Sequence, residues 1–418
     1  MAGSAAPPRS AFVWAWLPGA TEPVVAGRVV AVDHGRYVFA YGQSYLARPD
    51  AVPLYAPELP LREGPIEPRR DLLLAGCLRD ASPDAWGRRV IMARRFGYLD
   101  SDADTAALDE LTYLLSSGSD RVGGLDFQSS ATEYVARDET AELAELIGAA
   151  EAIEAGLPLS AALSEALTRG TSIGGARPKV TLLDQGRNLI AKLAATGDFY
   201  PVVKAEAVGM ILARRAGLNV AACEVIRCAG RDVLLVERFD RTAIPGQRRM
   251  MVSALTILAE NEMGVRHASY PDLADAVRKM FTDSTQDLRE LFARMVFNVC
   301  IGNTDDHLRN HAAFWDGAQL ALTPAYDLCP QLRSGETASH ALNITRIPER
   351  ASQLRLCRKA APDFLLSGRD ADLIIEAQLE VITREWDDAA DEAQLTKAER
   401  SYLWRRQILN PYIHYDQV

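Results

Sequence analysis

The sequence has little cysteine and no pattern to pair it: Cys77, Cys223, Cys228, Cys300, Cys329 and Cys357 are spread over 418 residues without a Cys-x-x-Cys spacing. Neither a disulfide framework nor a cysteine zinc site is expected, and the six read as reduced, buried thiols of a cytoplasmic protein. Long apolar runs are missing too. No stretch approaches twenty uninterrupted apolar residues, and Met1 to Ser10 is small and Pro-rich, so neither a membrane span nor an export signal is indicated. Positive charge is in deficit, with 46 Lys and Arg against 56 Asp and Glu, a net charge of −10 and a pI near 5.3. That balance argues against the chain gripping DNA unaided, because non-specific affinity comes from Lys and Arg neutralising phosphates, while it suits a basic partner. There is no internal repeat. The one biased segment, Asp138 to Ala155, is Ala- and Glu-rich and reads as an ordinary exposed helix. At 48% apolar and 24% charged, the composition is that of a soluble globular protein of two or three domains.

What the sequence does have is Ile301-Gly302-Asn303-Thr304-Asp305-Asp306-His307-Leu308-Arg309-Asn310, a polar loop directly behind a strongly helical stretch. From Thr285, the residues Leu288, Leu291, Phe292, Met295, Val296 and Val299 recur at three- and four-residue steps, so one buried helical face delivers the loop to the interior. Gly302 stops the helix. Beyond the loop, Asp316-Gly317 between Ala312–Trp315 and Gln319–Leu322 predicts a tight β-hairpin, and a further acid follows at Asp327. Phosphoryl transfer from a nucleotide needs such a set: one carboxylate to take the acceptor hydroxyl's proton, and an Asn plus a second carboxylate to hold Mg²⁺ against the phosphates. The five-residue interval from Asp305 to Asn310 equals that of a protein kinase catalytic loop. The plain alternative is a helix-exit loop whose Asn, Asp and His side chains satisfy its own backbone, and Asp327 favours the chemical reading over it. A hydrolytic metal site on Asp305, His307 and His311 lacks the Glu base of a His-Glu-x-x-His arrangement.

Before this loop the chain reads as two units. Phe12 to Leu17, Val24 to Val32 and Tyr37 to Tyr41 are β-rich segments separated by Gly, Pro and Asp-His-Gly turns, and prolines from Pro49 to Pro68 mark an extended connector. Ser82-Pro83-Asp84 predicts a helix start with Ser82 as cap, and helices are expected over Trp86 to Arg95 and Thr105 to Leu115. Two more, from about Glu139 to Arg169, lead to Thr171-Ser172-Ile173-Gly174-Gly175-Ala176-Arg177-Pro178-Lys179, which suits either a structural turn or a loop whose amides approach phosphates. The next strand, Asn188 to Leu193, sets Lys192 in an apolar run, and a buried ammonium needs an anion: an internal carboxylate, for which Glu206 on the following helix is placed, or a nucleotide phosphate. Glu237-Arg238-Phe239-Asp240-Arg241 then reads as a salt-bridged strand end, or as the segment joining two lobes and presenting Glu237 and Phe239 to adenine. The last helices are expected over Asp370 to Trp386 and Gln394 to Leu409, the second ended by Pro411.

The ordered set Ser-Ile-Gly-Gly-Ala-Arg-Pro-Lys, Val-Glu-Arg-Phe-Asp-Arg, Ile-Gly-Asn-Thr-Asp-Asp-His-Leu-Arg-Asn and Pro-Ala-Tyr-Asp-Leu resembles the HipA family of serine/threonine kinases, toxins of bacterial toxin–antitoxin pairs. The resemblance covers nearly the whole chain, since the β-rich start and Asp120-Arg121-Val122-Gly123-Gly124 also look like the family's N-terminal region. It implies an α+β, two-lobed protein-kinase-like fold: a β-rich N-terminal subdomain over 11–103, a mixed α/β nucleotide-binding lobe over 104–252, and a helical catalytic lobe over 253–418. It also implies ATP and Mg²⁺, with Asp305 as base, Asn310 and Asp327 as metal ligands, and Lys192 on the nucleotide phosphates. Ser172, Gly174, Gly175 and Lys179 fall in the phosphate loop, Glu237 and Phe239 in the adenine segment, and Ser172 matches the serine that family members autophosphorylate. Arg177-Pro178 and Asp306 depart from the commoner family residues, and the second acid competes with Asp305 for the role of base. The implied partners are a HipB-like helix-turn-helix antitoxin, which would make most of the DNA contact, and a protein substrate on the precedent of an aminoacyl-tRNA synthetase. The other reading is a catalytically silent binding protein on the same scaffold.

Overall fold

The structure is a computed structural model and describes residues 7–96, 104–137, 143–155, 157, 177–195, 198–261, 267–333 and 335–415. The β-branched and aromatic residues of the N-terminal region form β1 (Ser10–Ala15), β2 (Val24–Ala31) and β3 (Tyr37–Tyr41), and β4 (Leu125–Gln128) returns to the edge of the same antiparallel sheet, in the order β3-β2-β1-β4. Between β3 and β4 lie α1 (Ala85–Phe96) and α2 (Glu110–Ser116). Two details differ from the sequence reading. Asp84, not Ser82, caps α1, accepting the Gly87 N–H at 2.6 Å, because the Ser82 hydroxyl is engaged by Glu110. The helix expected from Thr105 is broken at Asp109, whose carboxylate caps α2 by accepting Thr112 N–H at 3.0 Å while its own backbone stays extended.

The helix α3 (Leu143–Glu154) is not the exposed helix its composition suggests. Leu146, Ile147, Ala149, Ala150 and Ile153 are buried with Trp86, Val90 and Ile91 of α1 in a cluster that includes Val180, Leu189, Ala191, Val233 and Leu235. Alanine is small enough to let the helix approach closely, so Ala-rich composition serves packing here as well as helix propensity. The second helix expected up to Arg169 lies outside the described residues. A second antiparallel sheet follows, β5-β6-β8-β7, from β5 (Lys179–Asp184), β6 (Arg187–Leu193), β7 (Cys223–Cys228) and β8 (Arg231–Glu237), with α4 (Val202–Arg215) inserted between β6 and β7. Ala229 and Gly230, at φ 48° and 78°, turn the β7–β8 hairpin.

The remainder is mostly helical. α5 (Tyr270–Met280) and α6 (Ser284–Ile301) are followed by α7 (Leu354–Ala360), α8 (Gly368–Glu392) and α9 (Lys397–Leu403), and a small sheet β11-β10-β9 joins β9 (Met251–Ser253), β10 (Ala312–Trp315) and β11 (Leu320–Leu322). The periodic face of α6 is fully buried, Asp283 caps its start, and Gly302 ends it at φ 70°. The turn of the β10–β11 hairpin is wider than a two-residue turn: Gly317 alone takes positive φ, and Asp316 Oδ1 accepts the N–H groups of Ala318 and Gln319 at 2.8 and 2.7 Å. The last helix is shorter than expected. It stops at Leu403, and Arg405 and Leu409 adopt positive φ so that Leu409 N–H can reach the Cys300 carbonyl at 2.7 Å, while Pro411 opens a 3₁₀ turn rather than ending a helix.

Candidate active site

Lys179 on β5 lies directly opposite Lys192 on β6. Like charges on paired strands repel, and here each ammonium is neutralised by a different part of the chain. Lys192 Nζ sits 2.5 Å from Glu206 Oε1 on α4 and also ion-pairs with Asp327 Oδ1, so one lysine joins the second sheet, its helix and the segment after β11. Glu206 thus stands where the sequence places Lys192's partner. Lys179 Nζ lies 3.2 Å from Oδ2 of Asp84, the carboxylate that caps α1. Burial opposes charge on Lys192, but Asp327 and Glu206 override it and raise its pKa. Burial likewise works against ionisation of Asp327, and the Lys192 ammonium more than offsets it, holding the carboxyl at about 2. The Lys192 ammonium thus favours the ionised form of Asp327, while burial pushes the Glu206 pKa upward against the same ammonium.

Asp327 is held in an unusual backbone conformation, with φ 58°. Two neighbours account for it. Gly209 on α4 has no side chain, and a Cβ there would overlap the Leu328 carbonyl. Asn303, at the start of the polar loop, donates from Nδ2 to the Asp327 carbonyl at 3.2 Å and to Asn298 Oδ1 at 3.0 Å.

The two acids of the loop have different surroundings. Asp306 is buried, accepts the Tyr270 hydroxyl, and lies 2.8 Å from His311 Nε2. Burial works against its charge, but His311 and these hydrogen bonds keep its pKa below the usual carboxylate value. Asp305 is solvent-exposed and makes no such bonds among the described residues. Partial desolvation, with the Asp327 and Asp306 charges adding to it against His307, raises its pKa. A raised, accessible carboxylate can take a proton; one fully engaged by a tyrosine and a histidine holds the loop. Asn310 donates from Nδ2 to the Asp305 carbonyl at 3.4 Å, leaving its Oδ1 as an acceptor.

Glu237 ends β8 as an exposed residue, and Phe239 packs edge-on to Phe314 and beside Tyr326, with ring centroids 5.9 and 5.7 Å away. Between and beyond them, Arg238, Asp240 and Arg241 form a buried ionic cluster with Asp120, so these three residues follow the salt-bridged alternative. Arg177 meets Asp198 with both carboxylate oxygens at 2.6 Å. Ser172, Gly174 and Gly175 lie outside the described residues.

The fold and this constellation can be set beside known proteins. A family model described as the HipA-like C-terminal domain matches residues 171–386, and one described as the HipA N-terminal domain matches residues 20–128. The chain belongs to the HipA family. The candidate kinase Y4mE of Sinorhizobium fredii is 26% identical over 327 residues, covering 73% of this chain and 74% of that protein. The serine/threonine-protein kinase toxin HipA of Shewanella oneidensis is 26% identical over 183 residues, 38% of this chain and 42% of that one. The solved complex of Shewanella oneidensis HipA with HipB and operator DNA contains a chain that matches with TM-score 0.69 at 18% identity, covering 96% of both chains, which shows a shared fold.

The HipA fold makes nucleotide and Mg²⁺ the groups to test against these residues, and the donor chemistry fits. The Asp327 carboxylate and Asn310 Oδ1 are hard oxygen ligands of the kind Mg²⁺ takes, and Lys192 is a cation set beside Asp327. Sequence reasoning missed Asp84, Asn303, Gly209 and Tyr270. Each acts through a contact distant in sequence, from 24 residues for Asn303–Asp327 to more than a hundred for Gly209–Leu328, and only the Gly209 position in an otherwise packed helix carries any local sign.

Proposed function

We propose that the chain is an ATP- and Mg²⁺-dependent protein serine/threonine kinase, a HipA-like toxin acting on a protein of the translation machinery, with an aminoacyl-tRNA synthetase as the substrate class and Ser172 as its own autophosphorylation site. The observation that carries the reading is Lys192, half-buried between Glu206 of the sheet-packed helix and Asp327 of the segment after β11. A structural ion pair needs one carboxylate; a lysine poised between two suits a site that trades an internal anion for phosphates. ATP would supply the transferable phosphoryl group and Mg²⁺ the charge that neutralises it. Asn310 and Asp327 would hold the metal, Lys192 and Lys179 would face phosphates with Ser172, Gly174 and Gly175 in the covering loop, and Glu237 and Phe239 would border adenine. Asp305, accessible and raised in pKa, would accept the proton of the acceptor hydroxyl.

The division into an N-terminal unit over 11–103, a nucleotide lobe over 104–252 and a catalytic lobe over 253–418 belongs to the same proposal. So does a HipB-like antitoxin as partner, supported by the relative solved with HipB and operator DNA and by this chain's acidic balance. The test is incubation of the purified chain with γ-labelled ATP and Mg²⁺, with and without candidate synthetases. Label on a synthetase and on Ser172 is expected; a folded protein that labels neither would overturn the reading.

A further inference from the structure

Away from the site described above, Arg333, Tyr402, Arg405, Arg406, Gln407 and Tyr415 line a cavity of about 430 Å³. Its polar groups are short of partners. Arg333 Nε and Nη2 and Gln407 Oε1 are buried without a hydrogen bond, although Gln407 as a whole is only 3% exposed. Arg333 Nη1 alone of that guanidinium is bonded, to the Glu336 carbonyl at 3.4 Å. Buried polar atoms are paired in all but a few cases, and guanidinium N–H groups are among the most costly to leave otherwise. Arg405 and Arg406 have no ion pair among the described residues. They are steadied instead by rings, Arg405 over Trp404 at 5.1 Å and Arg406 over Tyr402 at 6.0 Å, which occupy the guanidinium faces and leave the N–H edges available. Among the described residues Glu336 is the only carboxylate lining the cavity, against three arginines.

We propose that this cavity binds a sugar phosphate. Three guanidiniums present more donors than the two oxygens of a carboxylate can receive, whereas a phosphate monoester offers three terminal oxygens and close to two charges. The unpaired Gln407 oxygen and the Glu336 carboxylate are acceptors; a phosphate cannot serve them, but the hydroxyl groups of a sugar can. Tyr402 and Tyr415 supply apolar ring surface to a sugar's C–H faces, and the volume is within the range of small-ligand pockets. The floor of the cavity adjoins the start of the polar loop: Arg333 Nη2 lies 3.5 Å from where a Cβ of Gly302 would stand, and Gln331 N–H donates to the Gly302 carbonyl at 3.0 Å. A ligand held by Arg333 would therefore rest against the residue from which Asp305's loop departs.

Calorimetric titration of the full chain with ribose 5-phosphate, inorganic phosphate, ribose and citrate tests this. Ribose 5-phosphate is expected to bind at least tenfold more tightly than each of the other three. The Arg405→Gln/Arg406→Gln double variant, altered only at exposed side chains, should lose at least tenfold of that affinity, and Gln407→Leu should remove the advantage over inorganic phosphate. Thermal melts identify any variant that fails to fold, and the exposed pair decides the matter if Gln407→Leu does. Citrate or inorganic phosphate binding as tightly as ribose 5-phosphate, unchanged affinity in the double variant, or no binding at millimolar concentration would each overturn the assignment.

Discussion

Asp305 and Asp306 are adjacent and chemically identical, yet their neighbours give them different work. Tyr270 and His311 both bond Asp306, so Asp306→Ala strands a buried hydroxyl and imidazole and should cost about 3 kcal/mol in denaturant unfolding. Asp305→Asn should leave stability within about 0.5 kcal/mol of wild type and abolish labelling by ATP, because its side chain is exposed and makes no structural bond among the described residues. Equal activity of Asp305→Asn and wild type would assign the base elsewhere. His340 is a third case. It is buried 3.1 Å from the Ser352 hydroxyl, and burial lowers its pKa from 6.5 to about 4, Asp306 working against that. The folded state therefore resists its protonation while the unfolded chain does not. Its contribution to stability is complete above pH 6.5 and declines as pH falls toward 4, by about 3 kcal/mol in all. His340→Gln should flatten the fall in unfolding free energy over that window, measured by urea titration at a series of pH values; an unchanged slope would remove His340 from the acid response.

At the scale of elements, helices α4 and α6 deliver the chemistry. The period of apolar residues in α6 and its Gly302 stop were legible because both are local, while the Asp283 cap went unread. The role of α4 was only half legible. Glu206 follows from kinase-like pairing with a strand lysine, but Gly209 matters through the Leu328 carbonyl, more than a hundred residues away in the chain. Gly209→Ala should displace the Asp327 segment from α4. The expected result is a lower Tm and a loss of ATP-dependent labelling greater than that of an alanine at exposed Gly368, which meets nothing within 4 Å. Full labelling by Gly209→Ala would show that Asp327 does not depend on this packing. Composition misled for α3, since Ala and Glu favour an exposed and a packed helix alike, and the neighbours decide which face is covered.

Across the whole molecule, a buried ionic cluster fastens the N-terminal sheet region to the strand end after β8. Asp120 pairs with Arg238 at 2.6 Å and Arg241 at 2.7 Å, and Asp240 accepts Gly123 N–H at 2.8 Å while pairing with the same two arginines. Burial opposes charge on Asp240, and Arg238 and Arg241 override it, leaving a pKa of about 2. Asp240→Ala leaves two buried guanidiniums sharing one carboxylate, so unfolding free energy should fall by about 3–5 kcal/mol, with earlier proteolytic cleavage near Gly123. A loss under about 1 kcal/mol, read in the same denaturant experiment, would mean that solvent enters the cluster and screens it.

Short intervals in the sequence were enough for the α6 face and its stop, the five-residue step from Asp305 to Asn310, and the order of motifs that signals a HipA protein. Backbone propensity, helical period and turn chemistry act over a few residues, so they are written where they act. The tertiary structure was needed to tell that Asp306 is tied down and Asp305 is not, that Lys179 is answered by Asp84 at the start of α1, and that Arg238 and Asp240 belong to an ionic cluster. Those outcomes turn on which charges share a buried space. Coulombic and desolvation energies depend on distance through the fold and on access of water, and neither quantity is carried by position along the chain.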